Sequence, residues 1–361
     1  MNVIFTTPTD TVGASSRYRV YQYLEYLPEK IHYKVFPFMS NSDYRSFKND
    51  RKIKLILKFP FLYITRFKLL FLCKKGDVVF VHRDIEPFGP MILEKLLKLK
   101  GCKLILDIDD AVYEKNIDEI SNKRNKFLYK LKYGKRFDSA IKNADLVICG
   151  NQFLHDYSLN YNKNSIIIPT VIDTAKIKAK KVYKSDFKEI TIGWIGNPGN
   201  TKYVTNILEQ IDQYFIDNIN VKGHLILIGA KRFDTSKYKI KITFKDWSIL
   251  TEYELLRSCD FGLMPLLDSE WSKGKCGAKI LQYFAAGIPA LCSGVGVNSE
   301  LVTNGVTGYI VKENNWYDGI DYFMKHTNEI ELMGKNGRKL VEENYSIKSQ
   351  IDKYIKCLDR N

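Results

Sequence analysis

Three lysines, Lys273, Lys275 and Lys279, stand around two glycines, Gly274 and Gly277, immediately before a short helical pattern over 279–286. Unpaired amides at a helix start already favour an anion, and three ammonium groups gathered there repel one another unless a multiply charged ligand compensates. A diphosphate carries such a charge; a solvated basic loop is the plainer alternative. Gly287 closes the pattern just past the helix end, and Pro289 opens the next apolar run. A second glycine pair, Gly196 and Gly199, lets backbone approach a ligand. Asn200 or Thr201 can cap the helix that follows, and Lys202 can neutralise phosphate. A P-loop spacing is absent, and no GxGxxG follows either opening strand, so neither nucleotide fingerprint is present.

A third loop runs from Pro8 to Arg19. Gly13 permits a tight turn, Ser15 or Ser16 can cap the helix behind it, and Arg17 and Arg19 fall in that helix's first turn. Cations there oppose the helix dipole, which makes sense if an anion binds; an ordinary loop with surface arginines is the alternative. His32, His155, His224 and His326 have no supporting pattern.

These loops need a frame to hold them. Short apolar runs alternate with helix-like segments along the whole chain. Strands are expected at 3–6, 34–37, 77–82, 103–107, 146–149 and 165–168, then at 190–195, 224–228, 240–244, 261–265, 289–292 and 307–311. Several runs are apolar at consecutive positions, such as Val78 to Val81 and Leu225 to Ile228, as in a parallel sheet covered on both faces. The rhythm is that of a doubly wound α/β fold, and it occurs twice. Periodicity stops over 173–188, where lysines accumulate, so a first domain over 1–185 and a second over 186–345 are expected. A terminal helix over 346–361 can pack back on the first. Ligands of such sheets bind beyond the carboxyl ends of the strands, where all three loops fall.

The 361 residues fit two domains, each able to bury a core. Seven cysteines are scattered, with no CxxC and no Cys/His cluster, which suits a reducing compartment without structural zinc. The N-terminus has no signal-peptide pattern, and no stretch offers about 18 uninterrupted apolar residues for a membrane span. Net charge is +15, and all of the excess sits in the first half. Residues 1–185 carry 34 Lys and Arg against 19 Asp and Glu, whereas residues 186–361 carry 22 of each. Such a block suits an anionic partner; a general lysine bias is the alternative.

The segment 260–308 resembles the second lobe of the GT-B glycosyltransferases of the family-4 type (glycosyl transferases group 1). The likeness rests on Asp260 to Pro265, Gly274 to Lys279, Gln282 to Pro289, Gly294 to Glu300 and Gly305 to Gly308. It extends more weakly to 193–202, 107–110 and 144–147. The resemblance implies two Rossmann-like doubly wound parallel-sheet lobes facing across a cleft. It further implies transfer of a sugar from a nucleotide-diphosphate donor, a UDP- or GDP-sugar, with retention and without cofactor or essential metal. By position, Gly196, Asn197, Lys202, Lys275, Lys279, Gln282 and Glu300 would bind the donor. Lys202 and the 275–279 helix start would hold the diphosphate, and Gln282 would hydrogen-bond the ribose. Gln282 stands where the family usually has a ribose-binding glutamate, Gly274 where it has another, and Asn197 where it has an arginine beside Gly196. Asp107, Asp109 and Asp110 fall where the family lines the acceptor side. Three acids in four residues suit a metal, but no partner ligands stand elsewhere, so we assign Asp109 and Asp110 a catalytic, hydroxyl-binding role beside Lys202 and Lys275. Helix capping by these acids is the alternative. Gly13, Ser16, Arg17 and Arg19 would line the acceptor or phosphate side, and His82 with Arg83 is a second candidate at that edge.

Two other functions fit less well. A sugar-nucleotide epimerase of the same fold needs acid/base carboxylates near the sugar, which Gly274 and Gln282 do not offer. A basic nucleic-acid-binding protein would explain aromatics among basics over 44–71, but no RNA motif is present, so no nucleic acid is expected as partner. Residues 51–75 carry Arg51, Lys52, Lys54, Lys58, Arg66, Lys68, Lys74 and Lys75 among Ile, Leu, Phe and Tyr, with Pro60 splitting the run into two short helices. Lys123, Arg124, Lys126, Lys130, Lys132, Lys135 and Arg136 form a second basic cluster. This is the signature of an anionic membrane surface as partner, with cytoplasmic location on the inner face of the membrane. Packing of the apolar residues on the sheet is the alternative. Many members of the family extend lipid-linked saccharides in bacterial surface polysaccharide or lipopolysaccharide synthesis, which makes a lipid-linked saccharide the expected acceptor.

Overall fold

The computed structural model describes residues 1–48, 52–86, 91–114 and 135–359. It divides into two compact units, Met1–Thr170 with Lys273–Cys276 and Gln350–Asn361, and Val171–Ser272 with Gly277–Ser349.

The first unit holds a six-stranded parallel sheet in the order β2-β1-β3-β4-β5-β6. Its strands are β1 Asn2–Thr9, β2 His32–Met39, β3 Val78–His82, β4 Lys103–Ile108, β5 Leu146–Cys149 and β6 Ser165–Ile167. All five residues of β3 are buried, which explains its unbroken apolar run. Winding reverses between β1 and β3, and that switch point is where open α/β sheets leave a crevice. On the helices, Leu69, Leu93, Leu97, Phe137 and Ile141 fill the layer over Val79, Val81, Leu104 and Leu106.

The second unit repeats the plan with β7 Glu189–Ile195, β8 Lys222–Ile228, β9 Lys241–Lys245, β10 Phe261–Met264, β11 Ala290–Ser293 and β12 Gly308–Val311. The sheet order β12-β11-β10-β7-β8-β9 places its switch point between β7 and β10. This is the 3-2-1-4-5-6 order of the dinucleotide-binding fold, read in the order in which the strands occur. Trp194, Phe261, Leu263, Trp316 and Phe323 centre the core, with Phe261 stacked on Phe323 at 4.2 Å.

Each expected strand corresponds to one of these twelve. The passage between units differs from the expected boundary: the first ends at Thr170, not residue 185. Residues 171–185 are pinned onto the second unit by hydrogen bonds. Arg338 donates to Thr174 O and Ile177 O, both at 2.9 Å, and the Lys180 amide donates to Ala286 O at 2.8 Å. Lys180 and Lys184 are not a solvated linker either, because both ammonium groups reach the buried carboxylate of Asp260. The end of the chain returns to the first unit. There the Tyr354 ring lies 3.9 Å from that of Tyr23, nearly parallel, and its hydroxyl donates to Arg19 O at 3.3 Å.

Pro60 does not split the 51–75 run. It sits inside the helix Lys52–Arg66, and the break falls at Phe67, before a second helix at Lys68–Leu72. Pro60 is exposed, so water can take the carbonyl left without an amide donor. After β7 the chain forms two helices, Thr201–Thr205 and Leu208–Asp217.

Candidate functional site

At the switch point of the first sheet, the chain leaves β1, turns at Gly13 and enters a helical segment over 14–24 with a wide π turn at Arg17–Tyr21. A Cβ on Gly13 would stand 1.8 Å from Thr9 Oγ1, so only glycine fits the turn. Neither serine caps the helix. Gly13 occupies the cap without a side-chain bond, and Ser16 is buried with its hydroxyl 2.9 Å from that of Thr9. Ser16 therefore closes the loop onto β1 and does not face a ligand. Ser15 points the other way, donating to Asp109 and lying 2.7 Å from His82 Nε2.

Beyond the serine, ionisable groups alternate in sign. Asp107, one residue before the end of β4 and fully buried, takes Arg19 on one side and His82 Nδ1, at 2.7 Å, on the other. Asp109 accepts from Arg83 Nε at 2.7 Å as well as from Ser15. Arg83 also pairs with Asp110, and Lys275 Nζ stands 4.0 Å from Asp110. Burial opposes ionisation of Asp107 and Asp109, yet the cations outweigh it. Arg19 and His82 hold Asp107 below the usual carboxylate range, and Arg83 and His82 do the same for Asp109. Arg83 adopts a left-handed backbone (φ 67°), rare for a residue with a side chain and typical of functional sites. Among the described residues no group of three His, Cys, Asp or Glu has the arrangement to hold a metal.

This geometry corrects one expectation. Arg19 is not poised for a ligand anion: it is only 2% exposed, its charge is matched by Asp107, and it donates to Ile168 O at 2.7 Å. Arg17 is buried too, donating to its neighbour Tyr18 at 3.1 Å. Nor do Asp109 and Asp110 cap a helix among the described residues, since their side chains are committed to Arg83. Residues 273–276 belong with this site. Asn151 Nδ2 donates to Lys273 O and Lys275 O at 3.3 and 3.0 Å, and the Cys276 thiol lies 3.1 Å from Asp109 O. Burial pushes that thiol well above its ordinary pKa, so it packs as a neutral group. Gly274 cannot be larger, because a Cβ there would stand 2.4 Å from Ala111 Cβ and 2.7 Å from its amide nitrogen. A glutamate at this position is excluded by space.

The carboxyl edge of the second sheet is built differently. After β7, Gly196 leads into a 3-10 turn at Pro198–Asn200, where Asn197 is exposed. Neither Asn200 nor Thr201 caps the next helix through its side chain; Thr201 Oγ1 instead accepts from the Lys231 amide at 2.8 Å. Lys202 and Lys279 rest over aromatic rings, Tyr203 at 5.3 Å and Trp194 at 5.7 Å. The helix Ala278–Ala286 begins at Gly277 and ends at Gly287, both with left-handed backbone that favours glycine (φ 65° and 80°). Gln282, buried in this helix, donates to Glu252 Oε2 at 3.4 Å, and Trp247 Nε1 donates to the same oxygen at 2.7 Å. Glu300 lies exposed in the short helix Asn298–Leu301.

Residues 189–326, which include this second edge, match the family model described as glycosyl transferases group 1. The second unit therefore carries a segment of the glycosyl transferases group 1 type. Among curated proteins the chain is similar to an uncharacterised glycosyltransferase of Methanocaldococcus jannaschii, MJ1069. The two are 22% identical over 377 residues, covering 94% of this chain and 93% of that one. Its fold is that of the GT-B enzymes. Sucrose-phosphate synthase from Thermosynechococcus elongatus superposes with a TM-score of 0.71 at 13% identity, covering 99% of this chain and 98% of the other. Anabaena HepE, solved with UDP, gives 0.67 at 12% identity and covers 99% of both. Against S. aureus TarM, with a TM-score of 0.59 and 15% identity, this glycosyltransferase covers 58% of the other chain and 81% of its own.

Sequence reasoning about the glycosyltransferase missed Asn151, Trp247 and Glu252. Asn151 was legible: an Asn after a strand and before a helical run is an N-cap signal, and its Oδ1 accepts from the Leu154 amide at 2.9 Å. Trp247 and Glu252 follow the edge strand β9 in an irregular stretch, where no periodicity marks a side chain as inward.

Proposed function

We propose that this glycosyltransferase moves a sugar from a nucleotide-diphosphate-sugar, bound by the second unit, to a saccharide or lipid-linked acceptor on an anionic membrane surface, with retention. The observation that carries the donor half is the edge at the β7/β10 switch point. A glycine loop with exposed Asn197, two partly exposed ammonium groups on aromatic rings (Lys202 and Lys279) and the amide-rich start of Ala278–Ala286 form an anion-binding edge. Lys202 and Lys279 would neutralise the diphosphate, Lys275 would assist as it leaves, and Gln282 would bind the ribose. The UDP present in the HepE structures favours a uridine donor, with a GDP-sugar as the alternative. Asp109 and Asp110, held by Arg83, would meet the acceptor hydroxyl.

The membrane half rests on two neighbouring helices of the first unit. Leu57, Phe61, Ile64 and Phe71 are 77%, 63%, 65% and 86% exposed, so they do not pack on the sheet. Leu96 and Leu99, on Ile92–Leu99, extend this apolar surface beside Lys68–Leu72. Exposed Lys68, Lys74, Lys75 and Lys95 surround it. Apolar side chains to enter the headgroup boundary, rimmed by lysines, favour a peripheral, inner-face location and a lipid-linked acceptor of surface-polysaccharide synthesis. Arg66 takes no part, since it is buried and donates to Thr7 O. Arg136 is likewise buried against Glu86 O and Asp84. Arg51, Lys123, Arg124, Lys126, Lys130 and Lys132, and the side chains of Lys52, Lys54 and Lys135, lie outside the described residues. No described helix is long and apolar enough to cross a membrane.

A thermal-shift screen against UDP-, GDP-, ADP- and CMP-sugars tests the donor assignment. The true donor raises Tm by mass action, about 2.7 kcal/mol of stabilisation at 100 times Kd. If none of the four moves Tm, the donor assignment is wrong.

A further inference from the structure

We infer that His82 is a buried imidazolium that positions Asp109 through Ser15, in support of the transfer reaction proposed above. The argument begins with a count of protons. Asp107 faces His82 Nδ1 at 2.7 Å with a carboxylate oxygen, which only accepts, so Nδ1 carries a hydrogen. Ser15 has a single hydroxyl hydrogen and two neighbours at hydrogen-bond distance, Asp109 Oδ2 and His82 Nε2. Asp109 is also a carboxylate, paired with Arg83. If Ser15 gave its hydrogen to Nε2, two oxygens with only lone pairs would face each other at Asp109. The hydroxyl therefore donates to Asp109, and Nε2 must donate to the hydroxyl. Both ring nitrogens then carry hydrogens.

The charges agree with this count. Arg19, Asp107, His82, Asp109, Arg83, Asp110 and Lys275 form a sequence in which each ion adjoins the opposite sign. The ring stands between two carboxylates, 2.7 Å from Asp107 and linked through Ser15 to Asp109. Between two carboxylates a positive ring is the favoured sign, since nearby opposite charges favour the charged form.

Ser15, His82 and Asp107 have the connectivity of a hydrolytic triad, but they do not form one. A nucleophilic serine must send its proton to histidine, whereas Ser15 sends its own to Asp109. The serine is a spacer that carries the imidazolium's pull to Asp109. The left-handed backbone of Arg83 brings a second cation onto the same carboxylate. Asp109 is thereby gripped from two sides and aimed, as a reacting or hydroxyl-binding carboxylate requires.

The test uses the full chain labelled with 15N-histidine. Two-bond proton–nitrogen correlation distinguishes imidazolium from either neutral tautomer, and the His82→Gln variant identifies which of the five histidines gives the signal. An imidazolium pattern near neutral pH is expected; a neutral tautomer overturns the inference. Ser15→Ala, which leaves the ring but cuts the link, is expected to lower kcat by up to about 100-fold, the effect of a misplaced reacting group, with donor KM little changed. Ser15→Thr, which restores the hydroxyl, is expected to recover most of it. Wild-type kcat in Ser15→Ala overturns the positioning role. An imidazolium signal in a protein whose Asp109→Asn variant still transfers sugar at the wild-type rate would instead refute the role given to Asp109.

Discussion

The carboxyl edges of the two sheets use charge in opposite ways. Along the first, nearly every charge answers another: Arg19 is bound to Asp107, both buried, and Arg83 to Asp109 and Asp110, with Arg83 and Asp110 partly exposed. Along the second, Lys202 and Lys279 rest on the faces of aromatic rings, partly exposed, beside a glycine loop open to solvent. Charges buried in mutual pairs contribute chiefly to the protein's shape, whereas ammonium groups partly exposed over rings stand where a ligand can reach them. Sequence cannot separate these cases, because an arginine after a strand looks the same whether its partner is a carboxylate 88 residues away or a phosphate in solution.

If the contrast is right, removing a first-edge cation unfolds the protein and removing a second-edge cation only disables it. Arg19→Ala leaves Asp107 buried opposite a void, a change that typically costs about 3–5 kcal/mol, and denaturant unfolding should show a loss of that size. Because Asp107 and Asp109 titrate below their ordinary range, their share of the stability is present above about pH 4 and lost as pH falls through the folded-state values. Lys279→Ala should unfold like the wild type yet lose about 10²–10³-fold in transfer rate, the usual effect of deleting one charge-stabilising contact. An unaltered turnover would erase the distinction between the edges. Gln282→Ala sharpens it further. If the buried amide binds ribose, donor and free nucleotide diphosphate weaken together by about 1–3 kcal/mol in calorimetry. Unchanged nucleotide affinity would reduce Gln282 to a partner of Glu252. The smallest effect per residue belongs to the first unit's outer face. There each of Lys68, Lys74 and Lys75 should contribute about 1 kcal/mol to flotation with anionic vesicles. The binding should fade as salt rises, and equal flotation with neutral vesicles would exclude an electrostatic surface.

The strands were legible because parallel sheets leave an unambiguous mark: consecutive buried residues flanked by turn-formers, as in Val78 to Val81 and Ile192 to Ile195. The glycines that end helices were legible for the same local reason, and Gly287 caps its helix as its place before Pro289 implied. What escaped was pairing across the chain. The lysines over 176–184 read as a linker because Asp260, some 80 residues on, gave no sign of receiving two of them. Pro60 read as a break because sequence alone does not reveal which carbonyl faces water. At the site, residue types pointed to the loops at the sheet edges, but which groups were buried in pairs and which stood partly exposed depended on contacts such as those of Arg19 and Gln282. Those are set by topology, not by spacing.

The closing helix has a consequence for how the protein is made. Tyr354 supplies an aromatic wall to Tyr23 and Phe80, and Lys103 reaches the carbonyl of Cys357. The first sheet therefore lacks these contacts until residues that follow the whole second sheet in the chain have been made. Until then the rings of Tyr23 and Phe80 lack their Tyr354 partner, and incompletely packed domains of this kind are exposed to proteases and to association with one another.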